Sequence, residues 1–351
     1  MLRIGINALY LIPGGVGGTE IYLRNLLIAL AEIDKDNRYV VFTNRETGRD
    51  LVPAQSNFTC MPQPVRARFR PARILWEQTG LPVAVRKARL DVLFNPGFTC
   101  PLLGSCPNVT VFHDLQHKRH PEYFRWFDLP FWQVLLWTSA RRSRVLISDS
   151  MATRDDVRRF YGVDSAVIHL AAENSFFEIA NRREPANFLL CVSTLHPHKN
   201  LERLIRAHHN DLPPLVITGL RGFAAKRLEQ LAGPRVRFTG WIAREQLYDL
   251  FRTARGFIYP STFEGFGMPV LEAMAAGVPV ACSDIPPLRE IANDTVIFFD
   301  PLDEEAMRQA MFRLVTDPPS TNPAQLRAAD FTWKKTAQAT LDQLQRARHL
   351  K

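Results

Sequence analysis

Cysteine is scarce in this chain of 351 residues, and none of it is arranged for chemistry. The five thiols, Cys60, Cys100, Cys106, Cys191 and Cys282, show no Cys-x-x-Cys and no paired metal-ligand spacing. An odd, scattered set excludes a disulfide framework and fits a reducing compartment. No apolar run approaches the ~18 residues that a membrane-spanning helix needs. The N-terminus, Met1-Leu-Arg-Ile-Gly-Ile-Asn7, runs straight into a strand pattern without the layout of a secretory leader. A cytoplasmic chain is therefore expected, with any membrane contact peripheral and at the inner face. Two nucleotide-binding signatures are missing as well. There is no Gly-x4-Gly-Lys-Ser/Thr, and the glycine-rich turn at 12–20 departs from Gly-x-Gly-x-x-Gly because Glu20 stands where the third glycine belongs. Asn44 and Arg45, where an acid would hold a ribose, argue further against a nicotinamide site. The net charge of +9 suits an anionic partner, but no clustered basic stripe or recognition motif accompanies it, so nucleic acid is not expected.

What the chain does have is regular alternation. Apolar runs at 2–7, 39–43, 91–95, 108–113, 144–148 and 166–170 read as strands separated by helical patterns. The first helix spans 20–33, with Thr19 as its N-cap. A polar stretch at 173–185 reads as a linker. The alternation then restarts with strands at 188–193, 215–218, 236–239, 256–259, 278–282 and 296–299. Strand–helix–strand repetition predicts parallel sheets in an α/β fold. The expected boundaries are a first domain over 1–172, a second over 186–330 and a C-terminal helix over 331–351, with ligands beyond the carboxyl ends of the strands.

The segment Tyr259-Pro-Ser-Thr-Phe-Glu264-Gly-Phe-Gly-Met-Pro-Val-Leu-Glu272 carries the most chemistry. Pro269 suits the first turn of a helix, and Gly277 followed by Pro279 ends it. Gly265, Phe266 and Gly267 then lie at a helix N-terminus, where backbone N–H groups attract phosphate. Two glutamates beside a phosphate site make sense when the ligand also carries hydroxyl groups, as a nucleotide sugar does. In Leu195-His-Pro-His-Lys199-Asn200, Lys199 precedes a helix that Asn200 can cap, which is unfavourable for the helix dipole unless an anion lies between. Gly15 and Gly17 permit close backbone approach to a ligand. His113 falls at a strand's carboxyl end and can reach a sugar hydroxyl, although a satisfied structural histidine is the alternative. His117 and His120 lack a third ligand, so zinc is not expected, and Asp34-Lys-Asp36 reads as a solvated turn. The aromatic stretch 124–142 reads as a core helix. Its alternative is an element dipping into lipid headgroups, preceded by the basic Arg66-Ala-Arg-Phe-Arg-Pro-Ala-Arg73.

These residues together resemble glycosyltransferase family 4. The resemblance covers nearly the whole chain, and Glu264-x7-Glu272 is its most specific element. Pro13-Gly-Gly-Val, His113-Asp, Ser148-Asp-Ser, Pro197-x-Lys-Asn and Phe238-Thr-Gly-Trp241 support it. Trp76-Glu-Gln-x-x-Leu-Pro and Phe331-Thr-Trp-x-Lys-Thr are similar to the branch that builds bacterial surface polysaccharides, often with mannose or rhamnose. The resemblance implies the GT-B fold, with two Rossmann-like parallel-sheet domains facing across a cleft and the C-terminal helix reaching back to the first. It implies a retaining, metal-independent hexosyltransferase. A nucleotide-sugar donor and a glycan or lipid-linked acceptor would be the partners, with no cofactor and a peripheral contact with anionic membrane. Glu272 would bind ribose hydroxyls and Glu264 the donor sugar. The N–H groups of Gly265, Phe266 and Gly267 would hold hydroxyls and diphosphate, and Lys199 would neutralise the leaving group. Gly15 and Gly17 would approach the donor, and His113 would steady the sugar. Relatives often carry an Arg before the Lys, where this chain has Ser193 and Thr194; the diphosphate clamp is then weaker or takes an Arg from elsewhere, Arg221 being one candidate. A sugar-nucleotide epimerase of the same architecture and a non-catalytic nucleotide-sugar binder are the competing readings.

Overall fold

The structure is a computed structural model describing residues 1–15, 17–222 and 224–350. Val16, in the glycine-rich turn, lies outside them, as do Phe223 and Lys351. The chain forms two compact units, one of Met1–Leu170 joined by the tail from Trp333, the other of Ala171–Thr332.

In the first unit the strands are β1 (Arg3–Asn7), β2 (Arg38–Thr43), β3 (Phe58–Pro62), β4 (Val92–Asn95), β5 (Asn108–Phe112), β6 (Val145–Ser148) and β7 (Ala166–Val167). Its helices are α1 (Gly18–Ile33), α2 (Arg70–Lys87), α3 (Gln116–Arg119), α4 (Leu129–Arg142) and α5 (Met151–Tyr161). The second unit contains α6 (Asn174–Ala180), β8 (Leu189–Val192), α7 (Leu201–Ala207), β9 (Leu215–Thr218), α8 (Ala225–Leu231), β10 (Val236–Gly240) and α9 (Arg244–Thr253). It continues with β11 (Gly256–Tyr259), α10 (Met268–Ala275), β12 (Val280–Ser283), α11 (Pro286–Ala292), β13 (Ile297–Phe299), α12 (Glu304–Thr316) and α13 (Thr321–Ala329). The last helix, α14 (Trp333–His349), returns to the first unit.

Both sheets are parallel throughout, in the orders β3-β2-β1-β4-β5-β6-β7 and β10-β9-β8-β11-β12-β13. The central strands are buried on both faces, as crossover helices require. Each sheet starts in its middle and grows first one way and then the other, which leaves a switch point between β1 and β4 and another between β8 and β11. Loops leaving the carboxyl ends of those strands diverge there and leave room for a ligand.

Four local expectations need correction. The edge strand β3 has no strong apolar signature, since Phe-Thr-Cys-Met-Pro alternates weakly and ends in proline. The 173–185 stretch read as a linker carries α6, which packs on α9 and α10 and buries Phe176 and Ile179. Thr19 does not cap α1; Gly17 holds the N-cap position at φ +59° without a side-chain bond. The Asp34 turn is not simply solvated, because its buried carboxylate accepts from the Asp36 and Asn37 N–H groups at 3.0 and 3.1 Å.

The tail helix α14 packs against α1, β4 and β5. Leu341 and Leu344 are buried there, each contributing roughly 1.5–3 kcal/mol, and the Thr336 hydroxyl donates to the His169 carbonyl at 2.7 Å.

Candidate active site

The loops at the second switch point carry the charged groups. Between β8 and α7 the backbone makes a 3-10 turn over Pro197–Lys199 and then adopts the left-handed conformation at Asn200, φ +56°. Asn200 holds the N-cap position of α7, but its side chain makes no capping bond. Its amide donates to the Pro260 and Pro301 carbonyls at 3.1 and 2.6 Å, strapping this loop to the ones that follow β11 and β13. The His198 carbonyl accepts from the Thr262 N–H at 2.8 Å and from the Ser261 hydroxyl at 3.1 Å, which adds to the strap.

That register brings Lys199 onto Glu264. The ammonium lies 2.6 Å from Glu264 Oε1 and donates to the Tyr259 hydroxyl at 3.1 Å. Burial alone would push the Glu264 carboxyl up, but the Lys199 charge and hydrogen bond outweigh it and hold the group below its usual value. The anion that the lysine's position calls for is therefore Glu264 itself. Tyr259 is forced far up by burial first, then by Glu264, with a smaller push from Glu272, so both carboxylates act on one phenol.

Glu264 is followed by Gly265, Phe266 and Gly267, and α10 begins at Met268 with Pro269 in its first turn. Phe266 is buried and meets Phe331 edge-on at 6.1 Å. Gly267 sits at φ +111°, where a Cβ would lie 2.4 Å from Leu288 Cδ2, so a side chain is excluded by conformation and by space. Gly277, at φ +65°, ends the helix.

Glu272 is one turn into α10 and buried. Its partner is Arg244, at the start of α9, whose Nη2 is 3.3 Å from Glu272 Oε1 and 2.8 Å from Glu173 Oε1. The Tyr248 hydroxyl donates to Glu173 at 2.6 Å, and the Arg244 guanidinium lies over the Phe176 and Tyr248 rings at 5.2 and 5.4 Å. Desolvation lifts the Glu272 carboxyl to about 7; Arg244 opposes this and Glu173 reinforces it. Glu173, Arg244, Tyr248 and Tyr259 were not identified from the sequence. Glu173 falls in the stretch taken for a linker, and Arg244 lies 71 residues from it in a surface-like helix pattern.

Arg221 pairs with Glu229 at 2.8 Å and, with Gly219, Thr239 and Gly240, lines a cleft of about 120 Å³ at the carboxyl ends of β9 and β10. It is not in the Lys199 cluster.

In the first unit, the Gly15 N–H donates to the Ile12 carbonyl at 2.8 Å, and the Gly14 N–H to Glu20 Oε2 at 2.8 Å. Glu20 therefore folds back over the glycine-rich turn. His113 is buried. Its Nδ1 lies 2.7 Å from Asp149 Oδ2 and its Nε2 2.8 Å from the Pro96 carbonyl. Both partners are acceptors, so each ring nitrogen carries a proton. Burial lowers the imidazole's pKa, but Asp149 and Pro96 outweigh it and raise the group above its ordinary value. His113 is thus satisfied at both nitrogens, and its Nε2–H is already given to Pro96. His117 bonds to the Tyr161 hydroxyl at 2.6 Å and His120 to Glu122 at 3.0 Å. No cluster of three or more His, Cys, Asp or Glu side chains suited to a metal occurs among the described residues.

Two parallel sheets with mirrored growth from a central strand, and a lysine–carboxylate cluster at a switch point, define a GT-B glycosyltransferase. Among solved structures, the chain superimposes on a sucrose-phosphate synthase from Thermosynechococcus elongatus with TM-score 0.78 and 19% identity, over 99% of this chain and 98% of that one. It superimposes on Anabaena HepE, solved with UDP and glucose, with TM-score 0.75 and 18% identity over 99% and 100% of the chains. Residues 16–172 match the model for Glycosyltransferase Family 4, and residues 173–330 that for Glycosyl transferases group 1. The chain belongs to glycosyltransferase family 4. It is 30% identical to O-antigen chain mannosyltransferase B of Escherichia coli over 267 residues, which span 67% of this chain and 69% of that one. It is also 30% identical to O-antigen chain mannosyltransferase RfbU of Salmonella typhimurium over 241 residues, 66% and 67% of the two chains.

Proposed function

We propose that the chain transfers a mannosyl group, with retention, from a nucleoside-diphosphate donor to a glycan or lipid-linked glycan in surface-polysaccharide assembly. The carrying observation is the Lys199–Glu264 pair at the β8–β11 switch point, with Glu272 one turn further along the same loop and helix. The mannosyltransferase relatives support the sugar.

The hard step is departure of a charged nucleoside diphosphate. Lys199 is prepositioned by Tyr259 and Glu264, and in the donor complex it shares its charge with the diphosphate. The backbone N–H groups of Gly265, Phe266 and Gly267 at the start of α10 add fixed dipoles to that charge. Glu264 accepts hydrogen bonds from the donor sugar and faces the cationic character that grows on its ring. Glu272 accepts from the ribose hydroxyls. With Lys199 serving as the cation, no essential metal is required, and chelator should leave the rate unchanged. Gly15 and Gly17 lie on the β1–α1 turn of the first unit, where the absence of a side chain at each leaves the backbone open to a ligand. For His113 to steady the sugar, its Nε2–H must leave the Pro96 carbonyl. The reading includes a cytoplasmic location and a peripheral contact with anionic membrane. Among the described residues no helix is long and apolar enough to cross one.

A thermal-shift panel of nucleotide sugars tests the reading, since a ligand that binds only the folded state raises the midpoint. A nucleoside-diphosphate mannose should raise it in the wild type and much less in Lys199→Ala and Glu272→Ala. A donor that shifts all three proteins equally, or no shift with any nucleotide sugar, would sink the site assignment.

A further inference from the structure

The aromatic segment at α4 is not the core helix its pattern suggests. One face is: Leu135, Leu136, Ser139 and Ala140 are buried, and Leu136 and Ala140 join the cluster of Phe112, Leu146 and Val157. The other face carries Phe131, Val134 and Trp137, and the turn just before the helix adds Trp126 and Phe127; the five are between 43% and 84% exposed. Pro130, Val134, Trp137 and Arg141 continue at helical spacing along that side. Five large apolar side chains within one short surface segment make a patch that a soluble surface rarely keeps without use.

The charges on the patch identify what covers it. The Arg125 guanidinium lies over the Phe127 ring at 5.9 Å and that of Arg141 over Trp137 at 5.2 Å, so cations and aromatics share one face. Arg125, Arg141 and Arg142 have no carboxylate in ion-pair contact among the described residues; Arg141 donates only to the Tyr161 carbonyl, at 3.1 Å. Asp128 is the single acid between residues 125 and 142. Glu122 is occupied by His120. On the adjoining α5, Arg154 and Arg158 are paired with Asp155 and Asp164. Tryptophan favours the headgroup layer, where the ring is buried and the indole N–H stays wet, phenylalanine adds apolar area beside it, and unpaired arginines favour lipid phosphate. In a neutral bilayer each phosphate is already compensated by choline, so only a net anionic surface attracts the arginines, and an apolar protein face would desolvate them.

We infer that the outward face of α4 docks on an anionic lipid bilayer, with Trp126, Phe131 and Trp137 among the headgroups and Arg125, Arg141 and Arg142 on phosphates. This deepens the peripheral-contact part of the proposed function. Its test uses neither donor nor acceptor, so failure here leaves the transferase reading intact, and failure of that reading leaves this one intact.

The test is co-sedimentation with vesicles of phosphatidylcholine containing about one-third phosphatidylglycerol, against phosphatidylcholine alone. The wild type should partition onto the anionic vesicles and lose binding as salt rises. Trp126→Ser/Phe131→Ser/Trp137→Ser should lower the partition coefficient by at least about tenfold, and Arg125→Gln/Arg142→Gln by roughly fivefold per charge removed. Circular dichroism should show both variants folded. A second variant, Trp126→Phe/Trp137→Phe, should keep binding but lose much of the tryptophan quenching by brominated lipid. The inference is overturned if the wild type stays in the supernatant or the serine variant sediments equally. It is also overturned if the protein ignores vesicles and forms a dimer that the serine variant abolishes, because the face would then join two copies of the chain.

Discussion

Glu272 offers the sharpest experiment, because under the proposed ribose contact its burial predicts nucleotide binding that depends on pH near neutrality. Its carboxyl is lifted from 4.5 to about 7 by desolvation, with Glu173 adding to the lift and Arg244 opposing it. A carboxylic acid accepts hydrogen bonds poorly compared with a carboxylate, so ribose binding needs the ionised form. A group titrating at about 7 is ionised in roughly one molecule in ten at pH 6 and nine in ten at pH 8. The dissociation constant of a nucleotide-sugar donor should therefore tighten about tenfold over that window. Glu272→Gln should bind weakly and lose the slope. Arg244→Gln removes the nearby cation and should move the slope to higher pH. Folding stability runs the other way. The folded chain keeps this proton longer than the unfolded one, so the stability it contributes is present at low pH and is lost as pH rises from 4.5 to about 7, by roughly 3 kcal/mol in total relative to Glu272→Gln. Isothermal titration calorimetry at pH 6, 7 and 8 in buffers of different ionisation heat reads both the affinity and the proton released. A flat dissociation constant in the wild type, or an unchanged slope in Glu272→Gln, would refute the assignment of Glu272 to the ribose.

Three further outcomes follow from geometry already described. Lys199→Ala leaves Glu264 buried without its counter-charge and should cost roughly 3–5 kcal/mol; Lys199→Ala/Glu264→Gln should recover part of that loss yet stay inactive, and additive denaturation energies across the cycle would refute the pairing. Gly267→Ala must hold φ +111° with its Cβ 2.4 Å from Leu288 Cδ2, and should lose about 2–3 kcal/mol in chemical denaturation; a stability equal to wild type would deny the strain. Asp149 and the Pro96 carbonyl hold the proton on His113, so its contribution is complete below the ordinary histidine value and is lost as pH rises through its own raised value. Asp149→Asn should therefore be most destabilised, relative to wild type, in acid, and a deficit that grew in alkali would overturn that account.

Much of the fold was legible because buried parallel strands announce themselves. Val-Leu-Ile-Ser at β6 and Leu-Val-Ile-Thr at β9 are apolar runs between helical patterns. The edge strand β3 and the short helix α6 were not, since each buries too few side chains to leave a period. In the site, Lys199, Glu264 and Glu272 could be found because each lies on or just after a loop with distinctive glycine and proline chemistry. Their partnerships could not, because sequence shows which charges exist but not which ones the strap at Asn200 brings into register. The residues Arg244 and Glu173 show the same limit: their ion pair is made by tertiary packing of α6 on α9 alone. The reading of α4 failed for another reason. An all-round apolar helix has the same periodicity whether its outer side meets protein or lipid, and only exposure separates them.

The return of α14 to the first unit has a practical consequence for dissection. The second unit is in effect an insertion between Leu170 and Trp333, so the peptide crosses the boundary twice. A single proteolytic nick at either crossing would cut the chain into two fragments held together by the packing of α14 on α1, β4 and β5. Stopping translation before Trp333 would strip α1, β4 and β5 of their cover and leave a truncated product with an exposed apolar seam. Residues 171–332, in contrast, form an uninterrupted stretch that can be excised as one fragment.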